Sequence, residues 1–99
     1  VLGHVDQTTI VKDIKSSKDS WIFSFENNSN LAKFIAPKGS ITINGVSLTI
    51  NQVDNKIFTV NIIEHTFNHT NFKNLSINDS VNIEIDVISR YVANQLNFK

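Results

Sequence analysis

The sequence predicts an all-β fold, a small closed six-stranded barrel with a short connecting helix and a C-terminal helix. Three observations carry this expectation. The dominant hydrophobic period is two, as strands with one buried face require. The Asn44-Gly45 step marks a two-residue hairpin, because both positions tolerate positive φ. The strands are short and only 18% of residues are charged, so closing the sheet removes edges that little charge protects.

GHVDQTTIVKDI, near the start, is a long but weakly patterned strand candidate. In WIFSF, Trp21, Phe23 and Phe25 alternate with Ile22 and Ser24, giving a strand with an aromatic face. Asn30 is expected to cap a helical turn, LAKFI, running to Ile35 and closed by Pro37 and Gly39. Folding ITINGVSLTI at its Asn-Gly step pairs Ile43 with Val46 and Ile41 with Leu48, so four apolar side chains share one face. The other face then carries Thr42 beside Ser47 and Ser40 beside Thr49.

KIFTVNII, residues 56 to 63, makes the next strand. A two-residue Asp54-Asn55 turn would set Ile50 beside Thr59 and mix the faces. A three-residue loop, Asp54-Asn55-Lys56, pairs Leu48 with Ile62 and Ile50 with Val60 and keeps the apolar face buried. It also continues the hydroxyl face, with Ser47 beside Ile63 and Thr49 beside Asn61. Val81, Ile83 and Ile85 alternate with Asn82, Glu84 and Asp86 in the last strand. DVISRYVANQL then carries Ile88, Tyr91 or Val92, and Leu96 at helical spacing, with Asp86 placed to cap it. The expected organisation is one domain over residues 1–99, barrel to about 86 and helix over 87–97.

Ninety-nine residues bury roughly 60% of the surface their unfolded chain exposes, enough for one core. Nine basic and nine acidic residues cancel, so no broad field attracts nucleic acid or an anionic membrane. The absence of cysteine removes disulfides, thiolate nucleophiles and thiolate metal sites. There is neither a signal-peptide pattern nor an apolar run of about 18 residues, which points to a cytoplasmic soluble domain. Val1 is not Met, and the chain is expected to be part of something longer.

A row of Ser and Thr offers donors and acceptors without charge, which suits a flat neutral heterocycle. The plainer reading is that Thr is a good strand residue facing water. His65 and His69 have i, i+4 spacing, which on a helix can hold a metal. HTFNH lacks the metalloprotease glutamate inside the motif, and the β-rich context argues against helical geometry there, so no metal is expected.

KGSITINGVSLTIN, read with GHVD, IIEHTFNHTNF and SVNIEID, resembles the carboxy-terminal barrel of the riboflavin synthase family. The resemblance runs from Gly3 to about Leu96. It implies a Greek-key barrel and one half of a two-barrel enzyme. That enzyme converts two molecules of 6,7-dimethyl-8-ribityllumazine into riboflavin and a ribitylamino-pyrimidinedione, with no metal or organic cofactor. It further implies a second barrel from the same or a neighbouring subunit, a trimer held partly by terminal helices, and lumazine and riboflavin as ligands. The family's amino-terminal barrel, with its MFTGI start and cysteine-bearing strand, is expected to be missing.

Carried over residue by residue, Ser47 and Thr49 resemble the hydroxyls lining the ring pocket. The resemblance gives Ile62 and Ile63 backbone contacts to the pyrimidinedione edge, and sets Thr66 near the ribityl chain. Lys38, in the KG step, is a peripheral polar contact or a solvated loop lysine. His4 in GHVD corresponds to a histidine near the reaction centre, and imidazole can move protons near neutrality. Asp86 matches an acidic position, besides its helix-capping role. Ser47, His4 and Asp86 are thus the candidate catalytic residues. Glu64 replaces a common proline, and Gln7 and Thr8 replace a glycine-rich continuation. Two rival readings are a non-catalytic lumazine or flavin carrier and a β-barrel interaction module.

Overall fold

The computed structural model describes residues 4–86, with side chains described over residues 7–85. Six strands form a closed antiparallel barrel: β1 (His4–Ser17), β2 (Ser20–Glu26), β3 (Ser40–Ile43), β4 (Val46–Val53), β5 (Ile57–Ile63) and β6 (Ser80–Asp86). Around the barrel the order is β1-β2-β5-β4-β3-β6, with β6 returning to β1. The expected C-terminal helix over 87–97 lies outside the described residues.

The β3–β4 hairpin has the expected register: Ile43 pairs with Val46, Thr42 with Ser47, Ile41 with Leu48 and Ser40 with Thr49. Asn44 and Gly45 take φ of 49° and 86°, the two positive angles that this tight turn needs. The Asn44 carboxamide oxygen also accepts the Asn82 N–H at 2.8 Å, and the Asn44 N–H donates to the Asn82 carbonyl at 2.8 Å, tying the turn to β6.

Between β4 and β5, Ile50 pairs with Val60 as expected. Nearer the turn the register slips, so that Val53 meets Phe58 across a bulge at Asn51–Gln52. Asp54 holds the turn itself, its carboxylate accepting the Lys56 N–H at 2.7 Å and the Ile57 N–H at 2.8 Å. Those two hydrogen bonds, Ile57's first, draw the Asp54 carboxyl below its ordinary pKa.

Alternation sends Phe23, Phe25, Ile41, Ile43, Ile50, Phe58, Val60, Ile62, Val81, Ile83 and Ile85 into one core. Fully burying side chains of this size contributes about 1.5–3 kcal/mol each. The aromatic face of β2 organises its centre: Phe25 stacks on Phe58 with centroids 5.4 Å apart, and Phe72 meets Phe23 edge-on at 5.2 Å. Leu31, from the short helix α1 (Ser29–Ala32), and Phe72, from a 3-10 turn (Asn71–Asn74), complete the core.

Two local expectations need correction. The cap of α1 is Asn28 rather than Asn30, because its side-chain oxygen reaches the N–H groups of both Asn30 (3.0 Å) and Leu31 (3.1 Å). Residues Glu64–His69 form a helix, α2, despite their β-rich context. Tertiary contact supplies what local periodicity lacks there: Phe67 lies flat on Trp21, with ring centroids 4.1 Å apart. No helix among the described residues is long and apolar enough to cross a membrane.

Candidate functional site

The alternation that buries Ile41 and Ile43 turns Ser40, Thr42, Ser47 and Thr49 to the outside of the barrel. Ser47 and Thr49 are exposed. Within the described residues no hydrogen bond engages either hydroxyl, so both keep their donor and acceptor capacity for something else. The row continues around the barrel, since Thr42 is the register partner of Glu84 and Glu84 that of Asp6.

The other flank of the row is β5. The N–H of Ile50 donates to the Gly39 carbonyl at 2.9 Å, and its C=O accepts from the Lys38 N–H at 2.8 Å. Both peptide groups of a strand residue point to one side, so those of Ser47 and Thr49, odd-numbered against Ile50, point toward β5. The same counting along β5 starts from Val60 opposite Ile50, and agrees with the Glu64 N–H donating to the Asp19 carbonyl at 3.3 Å. It turns the peptide groups of Ile62 toward β2 and those of Asn61 and Ile63 toward β4.

Toward this end the last β4–β5 partner pair is Ile50–Val60, so Ile63 lies beyond the paired stretch. As N-cap of α2, Ile63 uses its C=O to begin the helical ladder, and its N–H remains directed at β4. Its side chain is 61% exposed. An exposed apolar side chain can receive the face of a flat ring, and free hydroxyls and a strand-edge N–H can bond a ring's edge.

Thr66 stands half-buried in the first turn of α2, its carbonyl accepting from the Thr70 hydroxyl at 2.7 Å. Lys38 is exposed, with φ of 66°, and its N–H bond to Ile50 sets it next to the Thr49 end of the row. The side chain of Ile62 is buried in the core. His4 and Asp86 are register partners at the end of the β1–β6 ladder. Ser47, Thr49 and Ile63 thus all face outward, Thr66 lies on the helix that follows β5, and His4 stands opposite Asp86 in the backbone. Ile62, by contrast, is committed to β2 and the interior.

Two hollows open near this surface, the first at the Glu84 end of the row. One, of about 570 Å³, is open and lined by Gln7, Thr8, Asn82, Ile83 and Glu84 on the outer face of β1 and β6. The other, of about 380 Å³, sits at the far end of β4 against Pro37, Asp54 and Thr59. Asn61 and Glu84 are the neighbours that sequence reasoning left out of the site. Strand parity in NII carried the signal for Asn61, whereas Glu84 adjoins the row only through barrel closure.

The architecture is that of a small closed antiparallel barrel with neutral hydrogen-bonding groups on its outer wall. Residues 2–86 match the lumazine binding domain, and the chain belongs to that family. It is 37% identical over 92 residues to riboflavin synthase of Actinobacillus pleuropneumoniae, covering 93% of this chain and 43% of that protein. To riboflavin synthase of Brucella abortus it is 40% identical over 93 residues, covering 94% and 46%. The chain thus spans less than half the length of these relatives. A crystal structure of LumP complexed with flavin mononucleotide superposes with a TM-score of 0.74 at 26% identity, over 79% of this chain and 44% of that one. LumP complexed with 6,7-dimethyl-8-(1'-D-ribityl) lumazine shares the fold, with a TM-score of 0.72 at 22% identity, again over 79% and 44%.

Proposed function

We propose that this barrel binds 6,7-dimethyl-8-ribityllumazine as one half of a riboflavin synthase site, in which two lumazines are dismutated to riboflavin and a ribitylamino-pyrimidinedione. The observation that supports the reading is the outward row of Ser47 and Thr49, whose hydroxyls bond nothing within the described residues, on β4, with the exposed Ile63 past the end of the β4–β5 ladder. The pteridine lies over Ile63, and Ser47, Thr49 and the Ile63 N–H bond its edge. Asn61 takes the peptide role beside Ile63 in place of Ile62. Thr66 meets the ribityl chain, and Lys38 is a polar contact at the rim.

Neutral partners fit the reaction. The methyl on carbon seven of the lumazine is acidic because the ring delocalises the anion, and a fixed charge pair would hold one ring in one ionic state. Orienting two rings for reaction can supply up to roughly 7–11 kcal/mol of the barrier. His4 and Asp86, backbone partners across β1 and β6, are the proposed proton-handling groups. The second ring belongs to a second barrel of the same or a neighbouring subunit, each barrel having Greek-key topology, in a cytoplasmic assembly that is trimeric at full length. The similarity to LumP, solved with flavin mononucleotide bound, supports ligand binding equally in a second reading, a lumazine or flavin carrier.

Fluorescence titration with 6,7-dimethyl-8-ribityllumazine tests the binding, and product analysis for riboflavin separates the two readings. Saturable binding is expected. No binding at high micromolar ligand would remove the proposal, and binding without riboflavin formation by the two-barrel protein would leave the carrier.

A further inference from the structure

The helix α2 (Glu64–His69) brings the two imidazoles of His65 and His69 one above the other on an exposed face. Their ring centroids are 4.2 Å apart and the planes are inclined by 24°. The Nδ1 of His69 lies 2.8 Å from the His65 carbonyl oxygen. A carbonyl only accepts, so this nitrogen carries the proton and the Nε2 of a neutral His69 keeps its lone pair. Metal-binding histidines are held this way, the far ring N–H fixed by a backbone carbonyl and the near nitrogen left free. No hydrogen bond within the described residues engages the His65 ring, which is free to aim its own lone pair.

We propose that His65 and His69 form a two-imidazole site for a late divalent transition-metal ion, with water completing the coordination. Tetrahedral coordination with metal–nitrogen bonds of about 2.0–2.1 Å needs the two nitrogens roughly 3.3 Å apart with converging lone pairs, so the His65 ring, which no hydrogen bond within the described residues holds, turns out of the stack while His69 keeps its Nδ1 bond. Imidazole pairs with oxygen ligands suit Ni²⁺, Cu²⁺ and Zn²⁺ far better than Mg²⁺ or Ca²⁺. The ion clamps two successive turns of α2, the element that also carries Thr66. The site stands on these two side chains alone and holds whether or not the barrel binds lumazine.

Titrating the folded chain with NiCl₂ tests it by nuclear magnetic resonance of the imidazoles. The rings of His65 and His69 should broaden together and ahead of His4, the third histidine of the chain. His65→Phe keeps a flat ring stacked on His69 and removes one ligand. Calorimetry should show at least a tenfold loss of Ni²⁺ affinity, with the metal-free melting temperature unchanged. Broadening of His4 first or equally, or a His65→Phe chain that binds Ni²⁺ as tightly as its parent, would overturn the assignment. Should His65→Phe melt early, His69→Gln supplies the same comparison, with the same tenfold loss expected and retained affinity counting against the site.

Discussion

Trp21 and Phe67 stack face to face, with ring centroids 4.1 Å apart and planes within 10° of parallel. Phe67 also lies 6.2 Å from Phe23, so one side chain fastens α2 onto the aromatic face of β2. Thr66 is the preceding residue, and its position is set by that attachment. Phe67→Ala should destabilise the barrel by about 2–3 kcal/mol, below the 3–5 of a fully buried phenylalanine because this ring is only half-buried. Denaturant unfolding reads that loss. Lumazine affinity should fall several-fold at the same time, and a folded variant with unchanged affinity would detach α2 from the ligand surface.

The Ser47 and Thr49 hydroxyls bond nothing within the described residues, so their removal costs the fold little. Each is assigned one hydrogen bond to the ring. Ser47→Ala and Thr49→Ala should each weaken lumazine binding by about 1–2 kcal/mol, a factor of roughly 5 to 30, with the denaturation midpoint nearly unmoved. The reverse pattern, unfolding with unchanged affinity, would make both hydroxyls structural.

The hairpin and its outward row were legible because an Asn-Gly step and a period of two leave a single register. Its neighbour across the barrel closure was not. Thr42 meets Glu84 only because a closed barrel sets β3 against β6, a pairing across more than forty intervening positions that no local pattern encodes. β1 reaches Ser17, well past the legible pattern, because pairing with β2 continues beyond an irregularity between Val11 and Asp13. With asparagines at 27, 28 and 30, side-chain reach alone decides which one caps α1. The α2 helix has no apolar stripe to announce it, and a single ring stacked on Trp21 anchors it.

Asp54 predicts the acid behaviour of the β4–β5 turn. Its carboxylate accepts the N–H groups of Ile57 and Lys56, which hold its pKa below the ordinary 3.8. A depressed folded-state pKa contributes stability that is fully present above the unfolded value and is lost as the pH falls through the folded one. The Lys56 and Ile57 amide resonances should therefore titrate with a midpoint below pH 3.8. Asp54→Ala should abolish that titration and increase amide exchange in the turn at neutral pH. A midpoint at or above the ordinary value would mean that the two hydrogen bonds do not persist in solution.

Asn44 serves two ends at once, and substitutions can separate them. Its φ of 49° favours Asn or Gly, while its side-chain oxygen holds the Asn82 N–H at 2.8 Å and so pins the hairpin tip to β6. Asn44→Gly keeps the turn and the backbone N–H bond to the Asn82 carbonyl, and loses only the side-chain bond to β6, with a cost of about 0.5–1.5 kcal/mol. Asn44→Ala loses the bond and also forces a Cβ-bearing residue without a compensating side chain into the left-handed region, which adds about 1 kcal/mol. Denaturation midpoints should fall in the order parent, Gly, Ala, and the Asn82 amide should exchange faster in both variants. If the glycine variant matched its parent in both measurements, the side-chain tie between the hairpin tip and β6 would carry no energy, and the hydroxyl row would owe its placement to the backbone hydrogen bonds alone.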